Sequence, residues 1–304
     1  MSTAKLSEVD QARYQRDLEC ITGARPPGSP HWRTVQNFCA KRLEALGYAV
    51  ERHRYATGVN VVGKRLGTAR ADEQVLVSAH YDGVPDCPGA DDNASGVAGA
   101  LEVARLLATR EHDRTLIVAL WDEEELGLRG SQAYALRARM RGEAVRASYV
   151  FEMIGYRSDA AGSQRLPAGF DALFPQQAKQ IRDNQHRGDF IAVVTDERAA
   201  SRVAAAHLAR VGRATGLPVV VLPLSEGQKR NPIFADLRRS DHAALWLAEY
   251  PAIMITDTAE FRNTHYHCGE GPDTIDRLDA DFAALVIGAT ASSAAELLKI
   301  DAEI

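Results

Sequence analysis

His80, Asp82, Asp86, Asp91 and Asp92 crowd into one short stretch, SAHYDGVPDCPGADDNASG, residues 78–96. Further along, Glu123, Glu124 and Glu125 open DEEELGLRGS, Glu152 interrupts the apolar run YVFEMI, and His265 and His267 lie in NTHYHCGEGPDT. Imidazole and carboxylate with little thiolate suit a divalent cation such as zinc. Taken singly, each group has an ordinary explanation. An Asp-rich loop is solvated, a Glu triplet suits a helix start where the dipole favours it, and a His pair in a loop is usually on the surface. Taken together they read differently, because most of them follow apolar runs. Acids at the ends of several buried strands would converge on one crevice, where their mutual repulsion is severe without a cation. A two-metal site resolves that repulsion.

The elements that must position these groups follow from the hydropathy pattern. Residues 6–22 and 31–47 are predicted helices, separated by GARPPGSPH, whose prolines and glycines force a break. Strands are predicted at Val50–Tyr55 and Asn60–Arg65, paired through the Gly58 turn. Residues 74–80 form a buried strand, and a helix after Asp92 runs to about Arg110. Leu116–Trp121 and Tyr149–Ile154 are two further buried strands, the second with a Glu that would not be tolerated there unpaired. Beyond a loop at 157–170 come a helix at 172–187, a strand at Phe190–Val194, a helix at 197–216 and a strand at Pro218–Pro223. After the polar, irregular 224–240, a short helix is expected at Asp241–Leu247, a last central strand at Ala252–Ile255, and a helix from Asp279 to about Lys299. Strand and helix alternate throughout. The fold class is therefore α/β, three-layer, with a mostly parallel central sheet and helices on both faces. In such sheets the chemistry sits where strands end and helices begin.

Bulk properties narrow the function classes. The 304 residues are 45% hydrophobic and 25% charged, a globular composition without a low-complexity tract. A formal charge of -5 and a pI near 6.0 argue against nucleic acid or an anionic membrane as partner. No window approaches the roughly eighteen uninterrupted apolar residues of a membrane span. The polar start, MSTAKLSEVDQARYQRDLE, lacks a signal-peptide core, so a cytoplasmic location is expected. Cys20, Cys39, Cys87 and Cys268 form neither a CxxC pair nor a disulfide-scaffold density. Cys20 and Cys39 read as buried small hydrophobes. Cys268, next to His267, reads as a neighbour of metal ligands rather than a ligand.

SAHYD, GADDNASG, DEEELGLRGS, FEMIGY, RSDHAALW and NTHYHCGEGPDTID, in this order, resemble the co-catalytic di-zinc aminopeptidase family, which also includes glutamate carboxypeptidases and glutaminyl cyclases. The resemblance runs from about Leu18 to Ala294. It implies a single zinc-peptidase domain over 1–304, fold included, with 157–240 as a substrate-side segment. It implies that His80 and Glu152 bind one zinc, that Glu125 and His267 bind a second, and that Asp91 bridges the two. It also implies a cis bond between Asp91 and Asp92. Asp82 is then the carboxylate that orients the His80 ring, and Glu124 the general base. Glu152 departs from the Asp of many members by one methylene, and Glu still binds zinc well.

The function implied is a zinc-dependent exopeptidase, an aminopeptidase that cleaves N-terminal peptide bonds with a water held between two zinc ions. Peptides or aminoacyl compounds are the expected partners, without nucleic acid or membrane. The resemblance also implies that substrate contacts come from 157–262. Near His267, Arg262 and Asn263 read equally as binders of a substrate carboxylate or as structural contacts. Asp241 and His242 match a recurrent family pair read as structural or as neighbours of ligands. Two alternatives stand beside the aminopeptidase: a glutaminyl cyclase-like acyltransferase with one zinc, and an inactive peptidase-like binding domain such as that of transferrin receptors.

Overall fold

The computed structural model describes residues 8–299. The first residues of the predicted helix at 6–22 thus lie outside the described residues. In chain order the elements are α1 (Gln11–Ile21), α2 (Pro30–Ala45), β1 (Ala49–Arg54), β2 (Val59–Arg65), β3 (Arg70–His80), α3 (Gly96–Ala108), β4 (Arg114–Trp121) and α4 (Arg129–Met140). They continue with β5 (Ala144–Glu152), α5 (Phe170–Leu173), α6 (Pro175–Asp183), β6 (Ile191–Asp196), α7 (Ala199–Thr215), β7 (Val219–Leu224), α8 (His242–Leu247), β8 (Ile253–Thr256) and α9 (Ala280–Leu298). Local chemistry sets the helix starts. Asp10, Ser29 and Asp279 each accept a backbone N–H three residues ahead, and Pro30 occupies a position where its missing N–H costs nothing.

All eight strands join one sheet in the order β1-β2-β4-β3-β5-β8-β6-β7. β4, β3, β5 and β8 run parallel at its centre, β2 and β6 flank them antiparallel, and β1 and β7 are the edges. Pro223 is tolerated in β7 because an edge strand need not donate on both sides. Alternate residues of the central strands face opposite layers. Val75 and Val77 meet Leu18, Val35, Leu101 and Val286 of the helices on one face, while Leu76 and Ile117 share the other core with Tyr134, Ile181 and Trp246. This is the three-layer α/β arrangement expected from the alternation of strand and helix. α9 is long and apolar enough, by length and composition alone, to cross a membrane. Here it packs instead as a core helix, with Phe282, Val286, Ile287 and Leu298 buried.

Several boundaries differ from expectation: β5 starts at Ala144 rather than Tyr149, the helix expected at 172–187 is split into α5 and α6, and three further differences have identifiable reasons. β3 begins at Arg70 rather than residue 74, because the polar RADE segment still pairs with β4 and β5 across a register shift. β5 ends at Glu152, two residues early, because Met153 takes a left-handed conformation with φ of 55°. α3 starts only at Gly96, since residues 90–95 form a wide turn with non-helical dihedrals at Asp92 and Asn93. Cys20 is exposed, contrary to the buried position read from its helical pattern, whereas Cys39 is buried.

Candidate metal centre

β3 delivers His80 to the end of the central sheet, fully buried, with both ring nitrogens facing acids. Nε2 lies 3.3 Å from Asp92 Oδ1, 3.5 Å from Glu152 Oε2 and 4.0 Å from Glu124 Oε2. Nδ1 faces Asp82 Oδ1 at 3.5 Å. On the other side of the crevice, His267 Nε2 lies 3.1 Å from Asp92 Oδ2 and 3.1 Å from Glu125 Oε2. Asp92 thus presents one oxygen to each histidine. Its side chain is shared by two overlapping ligand sets, His80–Asp92–Glu152 and Asp92–Glu125–His267, and a third set, His80–Glu124–Glu125, lies beside them.

The position between the two histidines is held by Asp92, which corrects the reading that put Asp91 there. Neighbouring side chains in this turn point in opposite directions, so only one of the two aspartates can face His80. Asp91 turns inward: Oδ1 accepts from Gly155 N at 3.0 Å and Oδ2 from Asn263 Nδ2 at 3.1 Å. The cis peptide is likewise one residue further on, between Asp92 and Asn93 rather than between Asp91 and Asp92. Asn93 marks the register. Its side chain donates to Phe151 O and accepts from Met153 N, tying the turn to the end of β5.

The glutamates after β4 divide by the same kind of geometry. Asp122 accepts from Trp32 Nε1 at 2.7 Å and from Val59 N at 2.8 Å, which anchors the strand end. Glu123 turns away and accepts from Thr57 Oγ1. Asp82 accepts Glu124 N at 3.1 Å and Glu125 N at 3.2 Å on its two oxygens, so it holds this turn as well as facing His80. Glu124 reaches the His80 side and Glu125 the His267 side. Glu152, at the last position of β5, accepts from Ser240 Oγ at 2.7 Å. The structure therefore brings His80, Asp82, Glu124, Glu125, Glu152 and His267 together with Asp92, and leaves Asp91 and Glu123 outside.

The electrostatics reflect this crowding. Burial opposes charge on His80, but the Glu124 and Glu152 carboxylates outweigh it and hold the imidazole well above its ordinary value. Burial also opposes charge on His267, where hydrogen bonds to Asp92 and Glu125 push it up to about 10. Glu124 is raised well above the carboxylate range by burial, with Glu152 and Asp241 adding to the effect. Asp92 lies well below that range, since the two histidines outweigh its burial. Asp92 Oδ1 and Glu125 Oε1 are buried and make no hydrogen bond among the described residues. Buried carboxylate oxygens without hydrogen bonds are costly, and divalent cations are the partners that fit them. This donor set suits zinc.

Two loops enclose the centre, and a disulfide joins them. Cys87, in the loop after β3, is bonded to Cys268, next to His267. The sequence reads Cys268 as a neighbour of ligands, and its pairing with Cys87 is not expected there. Arg262 and Asn263 are internal contacts rather than groups facing substrate. Arg262 is buried and donates to Gln164 Oε1 and Tyr156 O, and Asn263 holds Asp91. His265 Nδ1 meets Pro272 O. His242 is buried against Trp246, and Asp241 is buried with neither oxygen hydrogen-bonded among the described residues.

One feature of the site had no residue-level signal in the sequence: an apolar cavity opening beside the acids. Asp92, Glu124, Glu125 and Glu152 line one end, and Phe170, Phe174, Phe190, Leu222, Phe234 and Met254 line the body. Apart from the acids and Tyr266, every lining residue falls within 157–262. The phenylalanines come from separate stretches of the sequence and look there like ordinary core residues.

Imidazoles and carboxylates gathered at the ends of parallel strands, in a sheet covered by helices on both faces, define a candidate divalent-metal centre in a three-layer α/β fold. More particularly, this chain belongs to peptidase family M28, whose sequence profile matches residues 60–292. It is 37% identical over 227 residues to the uncharacterized protein YfbL of Escherichia coli (strain K12), covering 70% of this chain and 64% of that one. It is 28% identical over 254 residues to a probable zinc metalloprotease of Pyrenophora tritici-repentis, covering 75% and 49%. The chain thus spans less than two thirds of the length of either relative. In fold it is similar to the Legionella pneumophila LapA aminopeptidase, with a TM-score of 0.71, 18% identity and coverage of 97% and 72%. It is also similar to the Porphyromonas gingivalis glutaminyl cyclase, with a TM-score of 0.65, 18% identity and coverage of 97% and 100%.

Proposed function

We propose that this member of the family is an aminopeptidase that binds two zinc ions, His80 and Glu152 on one side of Asp92 and Glu125 and His267 on the other. The observation that carries this reading is Asp92, whose two oxygens face the two histidines at 3.3 and 3.1 Å. Zinc, when bound, supplies Lewis acidity and lowers the pKa of a water to near neutrality. Glu124, buried beside His80 but outside the two sets that share Asp92, would accept a proton from the attacking water and deliver it to the leaving nitrogen. Asp82 keeps the His80 ring in one orientation and holds the Glu124–Glu125 backbone. The cavity accepts the side chain of the substrate's first residue, and its phenylalanines favour a large apolar one. A free α-ammonium group is drawn to the acids at the cavity's end.

The test is a substrate screen with the zinc-loaded full chain, with metal counted by elemental analysis. Release of large apolar residues from peptides with a free N-terminus, with two zinc ions per chain, is expected. Cyclisation of N-terminal Gln peptides with one zinc ion would instead establish the cyclase reading. Cleavage restricted to N-acyl substrates would also overturn the proposal.

A further inference from the structure

We propose that Arg25 is a positioning residue, which holds the backbone of Asp92 so that its carboxylate stays between the two metal positions. The proposal rests on the two-zinc reading above. Arg25 lies in the break between α1 and α2, and it is fully buried. A guanidinium has five N–H donors in a planar fork, and here each is used on a backbone carbonyl. Nε donates to Tyr81 O at 3.0 Å, Nη1 to Gly23 O at 3.2 Å and Pro88 O at 2.7 Å, and Nη2 to Gly89 O at 2.8 Å and Asp92 O at 3.0 Å. Four of the five acceptors belong to the loop running from the end of β3 to Asp92. Arg25 has no ion pair with a carboxylate among the described residues. Its charge is offset at longer range by Asp92, Asp82, Asp273 and Glu125.

The loop is built around this side chain. A Cβ on Gly89 would lie 2.2 Å from Asp92 O and 3.1 Å from both terminal guanidinium nitrogens. From the opposite side, Asp273 Oδ2 accepts both Asp91 N and Asp92 N, at 2.9 and 3.0 Å. Asp92 is thus gripped by its carbonyl and by its amide. A buried cation is costly, and a cation with four of its five hydrogen bonds on one loop's carbonyls serves to hold that loop. The side chain it places is the one both ligand sets share.

The experiment compares wild-type protein with Arg25→Lys, in which one ammonium cannot span five carbonyls. The readouts are zinc affinity by chelator competition, kcat and KM on a substrate the wild type cleaves, and thermal midpoints of the metal-free proteins. A core variant, Val35→Ala, supplies a comparable loss of stability far from the centre. Arg25→Lys is expected to bind zinc at least tenfold more weakly and to lose kcat with little change in KM, with excess zinc restoring part of the rate. Val35→Ala is expected to keep wild-type zinc affinity. If Arg25→Lys does not fold, Gly89→Ala perturbs the same contact with the arginine retained, and the same loss of zinc affinity is expected. Unchanged zinc affinity and kcat in the folded variant, beside a wild type holding two zinc ions, would overturn the role of Arg25 alone. A wild type that takes up no zinc overturns the two-zinc reading and this proposal with it.

Discussion

Asp91 and Asp92 show at the scale of single residues what a sequence can and cannot say. Two identical side chains adjacent in a turn cannot be told apart by type or spacing, and the choice depends on which one faces His80. Convergence of His80, Glu124, Glu125, Glu152 and His267 was legible, because acids at buried strand ends have only one crevice in which to meet. The expected outcome follows. Asp92→Asn loses at least one zinc ion and its activity, whereas Asp91→Asn keeps both ions, because its contacts are to Gly155 and Asn263. Elemental analysis of the two purified variants decides the register. Glu124→Gln fills the same space without accepting a proton, so it is expected to keep its zinc and lose about 10²–10⁴-fold in kcat. Loss of zinc from Glu124→Gln would make it a ligand rather than the base.

At the scale of elements, nearly every strand and helix was legible, because apolar runs and helical spacing survive in the final packing. The disulfide was not. Its cysteines are 181 residues apart, and nothing local shows that the loop after β3 meets the loop carrying His267. The wide turn at residues 90–95 was missed for a related reason: its shape depends on contacts with β5 and Asp273. Removing the disulfide with a Cys87→Ser, Cys268→Ser pair is expected to cost about 2–5 kcal/mol of stability. Zinc retention is expected to fall too, because His267 is adjacent to Cys268. Denaturation midpoints and zinc content, with and without reductant, check this: the wild type should respond to reductant and the double variant should not.

At the scale of the whole molecule, the three-layer class was legible from alternation, but the strand order was not, because sequence patterns do not say which strands become neighbours. Acid stability belongs to this scale. Burial lowers His242 to about 4, so below about pH 6.5 the unfolded chain takes up a proton that the folded chain refuses. Its contribution is complete above about pH 6.5 and is lost as the pH falls toward 4, to a total of about 3 kcal/mol. His242→Gln retains a donor toward Leu237 O and does not titrate. Its denaturation midpoint is expected to change less than that of the wild type between pH 7 and pH 5, and equal changes would contradict the assignment. The measurement that bears most directly on the metal centre is an anomalous difference map, at the zinc edge, from crystals of the zinc-loaded full chain. The account predicts two peaks about 3.5 Å apart, one on each side of the Asp92 carboxylate, with His80 and Glu152 at one and Glu125 and His267 at the other. A single peak, or peaks ligated by Asp91 in place of Asp92, would contradict it.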